Sequence, residues 1–401
     1  MTSLSTLLDD ARALHPDLVQ IRHGLHGIPE LGLQLPRTQE RVLSELDGLG
    51  LEVSTGESVS SVTAVLRGAR PGPTVLLRGD MDALPVAEET GLDFAATDGR
   101  MHACGHDLHT TMLLGAAKLL APRRDQLSGD VVFMFQPGEE GYDGAARMIE
   151  EGLLDASGRK PDAAYALHVM SSWIKQGVFT TRGGPMLSAS NRLRVTVRGS
   201  GGHGSAPFRA VDPVPVACEM VLALQSFVTR RFDIFDPVVL TVGMIHGGTQ
   251  ENVIPDEVTF AATVRSFSPQ AQAVVKDGSI RVCEGIAAAH GAELDAEFVE
   301  LYPVTVNDVA ETSFVTDTLR ELHGEERFAP APNPVAGSED FSRVLDEVPG
   351  AMIALGACPD DLDVANAPNT HSPRAQFDDA VLGDGAVAYA ALAVQRQQSG
   401  N

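Results

Sequence analysis

The chain has 401 residues, 43% of them hydrophobic, and a formal net charge of -24. That length exceeds one ordinary core, so two domains are expected, and the charge argues against nucleic acid or an anionic membrane as a partner. No run approaches the ~20 apolar residues of a membrane helix. The stretch from Met1 to Pro16, with Asp9 and Asp10, does not read as a signal peptide. Cys104, Cys218, Cys283 and Cys358 form no CxxC pair, which fits a reducing, cytoplasmic setting.

Residues Arg41 to Leu49 read as the end of an amphipathic helix, with Val42, Leu43, Leu46 and Leu49 at helical spacing. Thr74 to Leu77, Val131 to Phe135 and Ala163 to Leu167 are short continuous apolar runs of the buried parallel-strand type. Between them, Thr110 to Leu120 has a helical pattern. Strands alternating with helices predict a parallel sheet covered on both faces. Ligand-type residues stand just after each run: Asp80 and Asp82, then Glu139 and Glu140, then His168. In open α/β sheets, sites lie outside the carboxyl ends of the strands.

The pattern changes near Ser188. Arg192 to Arg198 alternates strictly and predicts a half-exposed strand. A helix from Pro215 to Val228 follows, then strands Val238 to Ile245 and Val258 to Arg265. A helix from Pro269 to Ala289 and a strand from Glu293 to Val299 complete a split β-α-β-β-α-β unit. From about Tyr302 the chain returns to the first domain and ends in an alanine-rich helix, Gly385 to Gln397. The expected division is 1–187 with 299–401 as a catalytic domain and 188–298 as an inserted lid. The fold class is α/β: a mostly parallel-sheet domain carrying a smaller α+β domain.

Cys104-Gly105-His106-Asp107, between Asp80-Met81-Asp82 and Gln136-Pro137-Gly138-Glu139-Glu140, gathers a thiol, imidazoles and carboxylates. That mixture suits a divalent metal site with a position open for water. Cys104 and His106 are two apart and would point the same way in an extended segment. A lone cysteine is usually core, yet its polar, glycine-containing neighbours favour a ligand. Of two adjacent glutamates, one can hold metal while the other takes a proton from water. His109 opens a helix, where an exposed first-turn residue is one reading, and it is not assigned. His168 at the end of an apolar run and His371 in a proline-bracketed loop are not assigned by spacing alone. The glycine-rich loop Gly199 to Pro207, containing His203, lacks the Lys-Ser/Thr ending of a phosphate cradle. Asn252 and Arg265 are polar residues near strand ends.

Taken together, these segments resemble the co-catalytic metallopeptidases that include aminoacylases and glutamate carboxypeptidases. The likeness is greatest to the amidohydrolase branch of hippurate, N-acyl-amino-acid and auxin-conjugate hydrolases. The markers also include His26-Gly27-Ile28-Pro29-Glu30, Gly201-Gly202-His203-Gly204, Gly337-Ser338-Glu339-Asp340-Phe341 and Asn369-Thr370-His371-Ser372-Pro373. The resemblance implies two divalent metal ions per subunit, held by Cys104, His106, Glu140, His168 and His371. Zinc or manganese is favoured, with cobalt or nickel acceptable. It implies Glu139 as general base and Asp82 as a carboxylate that orients a ligand. It places His203 at the scissile carbonyl and Asn252 and Arg265 on the substrate. Phe208 stands where the branch often has histidine and Asn191 where aspartate is common; both bear on substrate preference. The implied reaction is cleavage of acetyl-, benzoyl- or indole-acyl-type amino acids by a homodimer joined through the lid. A dipeptidase of the same family is the alternative, and a non-catalytic small-amide binder a distant third.

Overall fold

The computed structural model describes residues 4–399. The chain forms two compact units: Met1–Met186, Val306–Asn333 and Asp340–Asn401 make one, and Leu187–Thr305 with Pro334–Glu339 the other. The segment 334–339 joins the second unit because Ser188 N–H donates to the carbonyls of Val335 (3.1 Å) and Gly337 (2.9 Å).

In chain order, the first unit opens with α1 (Leu4–His26), α2 (Pro36–Leu46), β1 (Glu52–Thr55), β2 (Val62–Leu66) and β3 (Val75–Asp80). It continues with α3 (His106–Leu120), β4 (Val131–Gln136), α4 (Gly144–Glu150), β5 (Ala163–Met170) and β6 (Phe179–Thr180). The second unit contributes β7 (Ala189–Arg198), α5 (Pro213–Arg231), β8 (Val238–Gly247), β9 (Glu257–Ser266), α6 (Pro269–His290) and β10 (Glu293–Tyr302). The chain then returns to the first unit through α7 (Val309–His323), β11 (Gly350–Gly356) and α8 (Leu382–Ser399).

The large sheet has the order β1-β2-β4-β3-β5-β11-β6. Its four central strands, β4, β3, β5 and β11, are mutually parallel, and antiparallel strands flank them on both sides. β3, β4 and β11 are buried along their whole length, as is β5 up to Leu167, so both faces of the sheet are covered. That explains the continuous apolar runs. The alanine-rich α8 packs closely on α3: a Cβ at Gly115 would lie 2.7 Å from Ala386 Cβ, so glycine permits the crossing.

The second unit has an antiparallel sheet in the order β8-β9-β7-β10. On β7, Leu193, Val195 and Val197 are buried while Arg192, Arg194 and Arg198 are exposed, the strict alternation of a sheet covered on one face. α5 and α6 supply that cover, sharing one core with the sheet. Both begin with proline under a side-chain cap: Asp212 accepts from Val214 N–H and Ser268 from Ala271 N–H. β10 runs on to Tyr302, three residues past the expected end. Among the described residues, no helix is long and apolar enough to cross a membrane.

Candidate metal centre

β3 ends on Asp80, with Asp82 two residues beyond. β4 leads into the turn bearing Glu139 and Glu140, and the loop after β11 holds His371. His168 lies within β5 rather than after it, two residues from its end. These strands are parallel neighbours, so their carboxyl ends deliver all these residues to one edge.

Cys104 and His106 arrive differently from the sequence expectation. They do not lie in an extended segment. Gly105 between them has φ 87°, a left-handed turn, and His106 is the first residue of α3. A Cβ at Gly105 would sit 2.4 Å from Val169 Cγ2, so glycine is required on two grounds. The turn leaves Cys104 Sγ 3.4 Å from His168 Nε2 and 3.3 Å from His371 Nε2. His371, itself at φ 71°, is tied down by its N–H donating to Ala103 O at 2.8 Å.

His371 Nε2 lies 3.1 Å from Glu140 Oε1, but that buried oxygen makes no hydrogen bond. His106 Nδ1 faces Asp82 O at 2.8 Å, leaving its buried Nε2 without a hydrogen bond, 3.4 Å from Asp80 Oδ2. Buried polar atoms that converge without bonding one another are what a cation's ligands look like. Groups with ligand atoms within 4.8 Å of one another include Cys104 with His106 and His168, Cys104 with Glu140 and His371, and His106 with Glu139 and Glu140. Cys104 belongs to two of them. The donor set fits soft or borderline divalent cations.

The electrostatics agree. Contact with Cys104 first, and with the Glu140 carboxylate, raises the His371 pKa to about 10. Burial alone would lower that of His106, but Asp80 and its neighbours drive it well above normal. Burial, with nearby Glu140, pushes the Cys104 thiol up. The pocket is thus negative enough to draw protons onto imidazoles, and a divalent cation would answer the same field. His168 is held well below its usual value, by burial first. Its Nδ1 faces Val169 O at 2.8 Å, which directs its Nε2 toward Cys104.

His203, Asn252 and Arg265 belong to the second unit. His203 pairs with Val253 in a two-residue ladder, and Gly204 N–H donates to Asn252 O at 2.8 Å, so these two loops are neighbours. Ser205 N–H donates to His203 Nδ1 at 3.1 Å. An amide can only donate, so a neutral His203 carries its proton on the exposed Nε2. Arg265 is not beside them. It pairs with Ser190 at one end of β7, whereas Arg198, which leads to the His203 loop, pairs with Glu257 at the other. Eight residue steps separate Ser190 from Arg198, roughly 26 Å of strand. Half-buried Arg265 donates to Ser190 Oγ at 2.5 Å and, among the described residues, forms no ion pair. Burial and nearby Arg192 lower its pKa.

Some residues escaped the sequence reading. His109, unassigned from sequence, is fully buried. Its spacing from His106 (i, i+3) puts both on one helix face, a usable signal. Behind the ligand turn, Arg22 Nε donates to Asp107 Oδ2 at 2.9 Å. His26 Nδ1 contacts the same oxygen at 2.8 Å, and Nε2 lies 3.1 Å from Glu88. Burial opposes charge on His26, yet Asp107 and Glu88 raise its pKa to about 9. These partners are 62 to 85 residues apart in sequence, so no local pattern reveals them.

Fold and site together define a metal-dependent hydrolase with an inserted domain. Residues 76–395 match the model of peptidase family M20/M25/M40, and the chain belongs to that family. It is 38% identical to thermostable carboxypeptidase 1 of Saccharolobus solfataricus, over 98% of this chain and 99% of that one. It is 37% identical to IAA-amino acid hydrolase ILR1-like 2 of Arabidopsis thaliana, over 94% and 84%. Among solved structures it resembles the YxeP protein of Bacillus subtilis, described as a dinuclear metal binding peptidase, with a TM-score of 0.83 and 30% identity over 96% and 99% of the two chains.

Proposed function

We propose that this chain hydrolyses the amide bond of N-acyl amino acids to a carboxylic acid and a free amino acid. Two divalent cations would be held by Cys104, His106, Glu140, His168 and His371. The observation that carries the reading is the shared thiol: Cys104 lies in one ligand group with His106 and His168 and in another with Glu140 and His371. Cys104 would thus be a ligand common to both groups. The description of YxeP as dinuclear supports the pairing. A thiolate favours zinc, while the imidazoles and carboxylate also accept manganese, cobalt or nickel. Bound there, the cations supply Lewis acidity that lowers the pKa of water from about 15.7 toward 7 and polarises the amide carbonyl.

The chain's own groups do the rest. Glu139 accepts a proton from water as the water oxygen attacks the amide carbon. It then gives that proton to the nitrogen as the C–N bond breaks. Asp82 holds the turn that presents Glu139 and Glu140. The Nε2–H of His203 is a donor for the developing oxyanion, worth about 2.7–4 kcal/mol where such a donor is lost. Asn252, on the neighbouring loop, would bind the same end of the substrate. Arg265 is a cation for the substrate carboxylate in a strongly acidic chain. Carboxylate recognition serves a carboxypeptidase equally well, so the name of the Saccharolobus relative favours a second reading in which a peptide replaces the acyl group.

An N-acyl amino acid spans about two residues, roughly 7 Å. Arg265 and the strand end that leads to the His203 loop are separated by roughly 26 Å of β7, more than such a substrate spans. This supports a homodimer in which His203 serves the partner's site. The β8 edge, with Met244 and Ile245 exposed, is a suitable joining strand. The four cysteines are all free, in keeping with a reducing, cytoplasmic location. The test is a panel of N-acyl amino acids varied at both ends, run on metal-stripped enzyme restored with single cations. Glu139→Gln should lower kcat at least ~100-fold without loss of bound metal. Near-normal turnover in that variant would refute the role of Glu139.

A further inference from the structure

Asp80, His106 and His109 also have ligand atoms close enough to share a cation. The hydrogen bonds of His109 argue otherwise. Its Nε2 accepts the N–H of Val169 at 2.7 Å. An amide nitrogen can only donate, so Nε2 bears no proton. The proton is on Nδ1, which donates to Asp80 Oδ1 at 2.6 Å. Both ring nitrogens are engaged, the ring is fully buried, and a single neutral tautomer satisfies both partners.

Each partner controls something at the centre. Val169 follows His168, and its carbonyl is the group that His168 Nδ1 faces at 2.8 Å. By gripping the N–H of Val169, His109 fixes the residue whose carbonyl sets the tautomer and aim of His168. The two rings lie side by side, with centroids 4.7 Å apart. At the other end, Asp80 gives Oδ1 to His109 and Oδ2 to Arg78 Nη1 at 2.7 Å, while Thr110 Oγ1 donates to its carbonyl at 2.7 Å. Oδ2 is the oxygen 3.4 Å from His106 Nε2.

We propose that His109 is a positioning residue that never ligates metal: its ring ties β3 to β5 and so fixes the geometry of His168 and of the carboxylate beside His106. The proposal rests on the two-cation reading for its consequence, namely that losing this tie weakens cation binding through His168. Polar partners of metal ligands commonly matter by 10–100-fold in metal affinity or activity.

The decisive measurement is made on intact protein with 15N-labelled histidine, loaded with 113Cd, the His109 signal being assigned with His109→Gln. The expected spectrum shows His109 as the Nδ1–H tautomer with no cadmium coupling, and couplings at His106, His168 and His371. Cadmium coupling at His109, or an Nε2–H tautomer, overturns the proposal. Absence of coupling at the other three would sink the metal reading instead, while the tautomer of His109 still decides the tie. As a second measurement, cation dissociation constants are obtained by chelator competition. His109→Phe, which lacks both nitrogens, should weaken one cation about 10–100-fold. His109→Gln, whose side-chain amide offers one donor and one acceptor, should recover part of that loss. Equal affinities in wild type and His109→Phe would also overturn it.

Discussion

Asp82 Oδ1 accepts the backbone N–H of Glu139 at 3.0 Å, while its Oδ2 accepts that of Glu140 at 3.1 Å. One buried carboxylate therefore fixes the orientation of two consecutive glutamates, one proposed as a cation ligand and the other as the base. Asp82→Ala leaves one buried and one partly buried amide unpaired, at a cost of up to about 1–3 kcal/mol each. The expected outcome is a kcat lowered by roughly 10–100-fold, with weaker cation binding. Wild-type turnover and metal affinity in this variant would remove Asp82 from that role.

Subunit mixing tests the origin of His203. Glu139→Ala and His203→Ala homodimers should each be inactive. After exchange, half the dimers are mixed. If His203 acts on the partner's site, each mixed dimer has one site with both groups intact. About a quarter of wild-type activity should return. Activity that stays at background, with exchange verified by mass spectrometry, places His203 within its own subunit's site.

Arg265 is expected to read the substrate carboxylate. Arg265→Ala should reduce kcat/KM for N-acyl amino acids far more than for the matching carboxamides, because only the former lose a charge-assisted hydrogen bond. The comparison is made on acid and amide pairs of the same acyl group. Equal losses would mean the residue supports the fold of the second unit instead.

His323 provides a pH test away from the metal centre. Its ring is stacked on Phe179 with centroids 5.0 Å apart, and its side chain is 4% exposed. Burial lowers its pKa from 6.5 to about 4. Below pH 6.5 the unfolded chain takes up a proton that the folded chain refuses, so this group destabilises the fold progressively as pH falls toward 4. The ceiling is about 3 kcal/mol. Denaturant unfolding at pH 7.5 and pH 5 should show a larger acid loss in wild type than in His323→Phe. Identical losses would contradict the assignment.

Much of this was legible in sequence because it follows from local chemistry. Continuous apolar runs marked β3, β4 and β5, and strict alternation marked β7. Both periodicities are imposed by which faces a strand buries. Other features were hidden because they depend on distant contacts. A left-handed Gly105 cannot be told from an extended one by its neighbours, so the path from Cys104 to His106 is not legible in sequence. His109 has no assignable role until Asp80 and Val169 are folded around it. The separation of His203 from Arg265 depends on the register of β9 against β7, which no single segment contains.

Metal titration probes directly whether the Cys104 thiol serves two cations. Stripped protein would be titrated with cobalt while activity and the thiolate-to-metal charge-transfer absorption are followed together. Activity should return as two equivalents per chain bind, with a thiolate band that is absent in Cys104→Ser. Full activity in the stripped protein, or cobalt bound with no contribution from Cys104 to the spectrum, would contradict it.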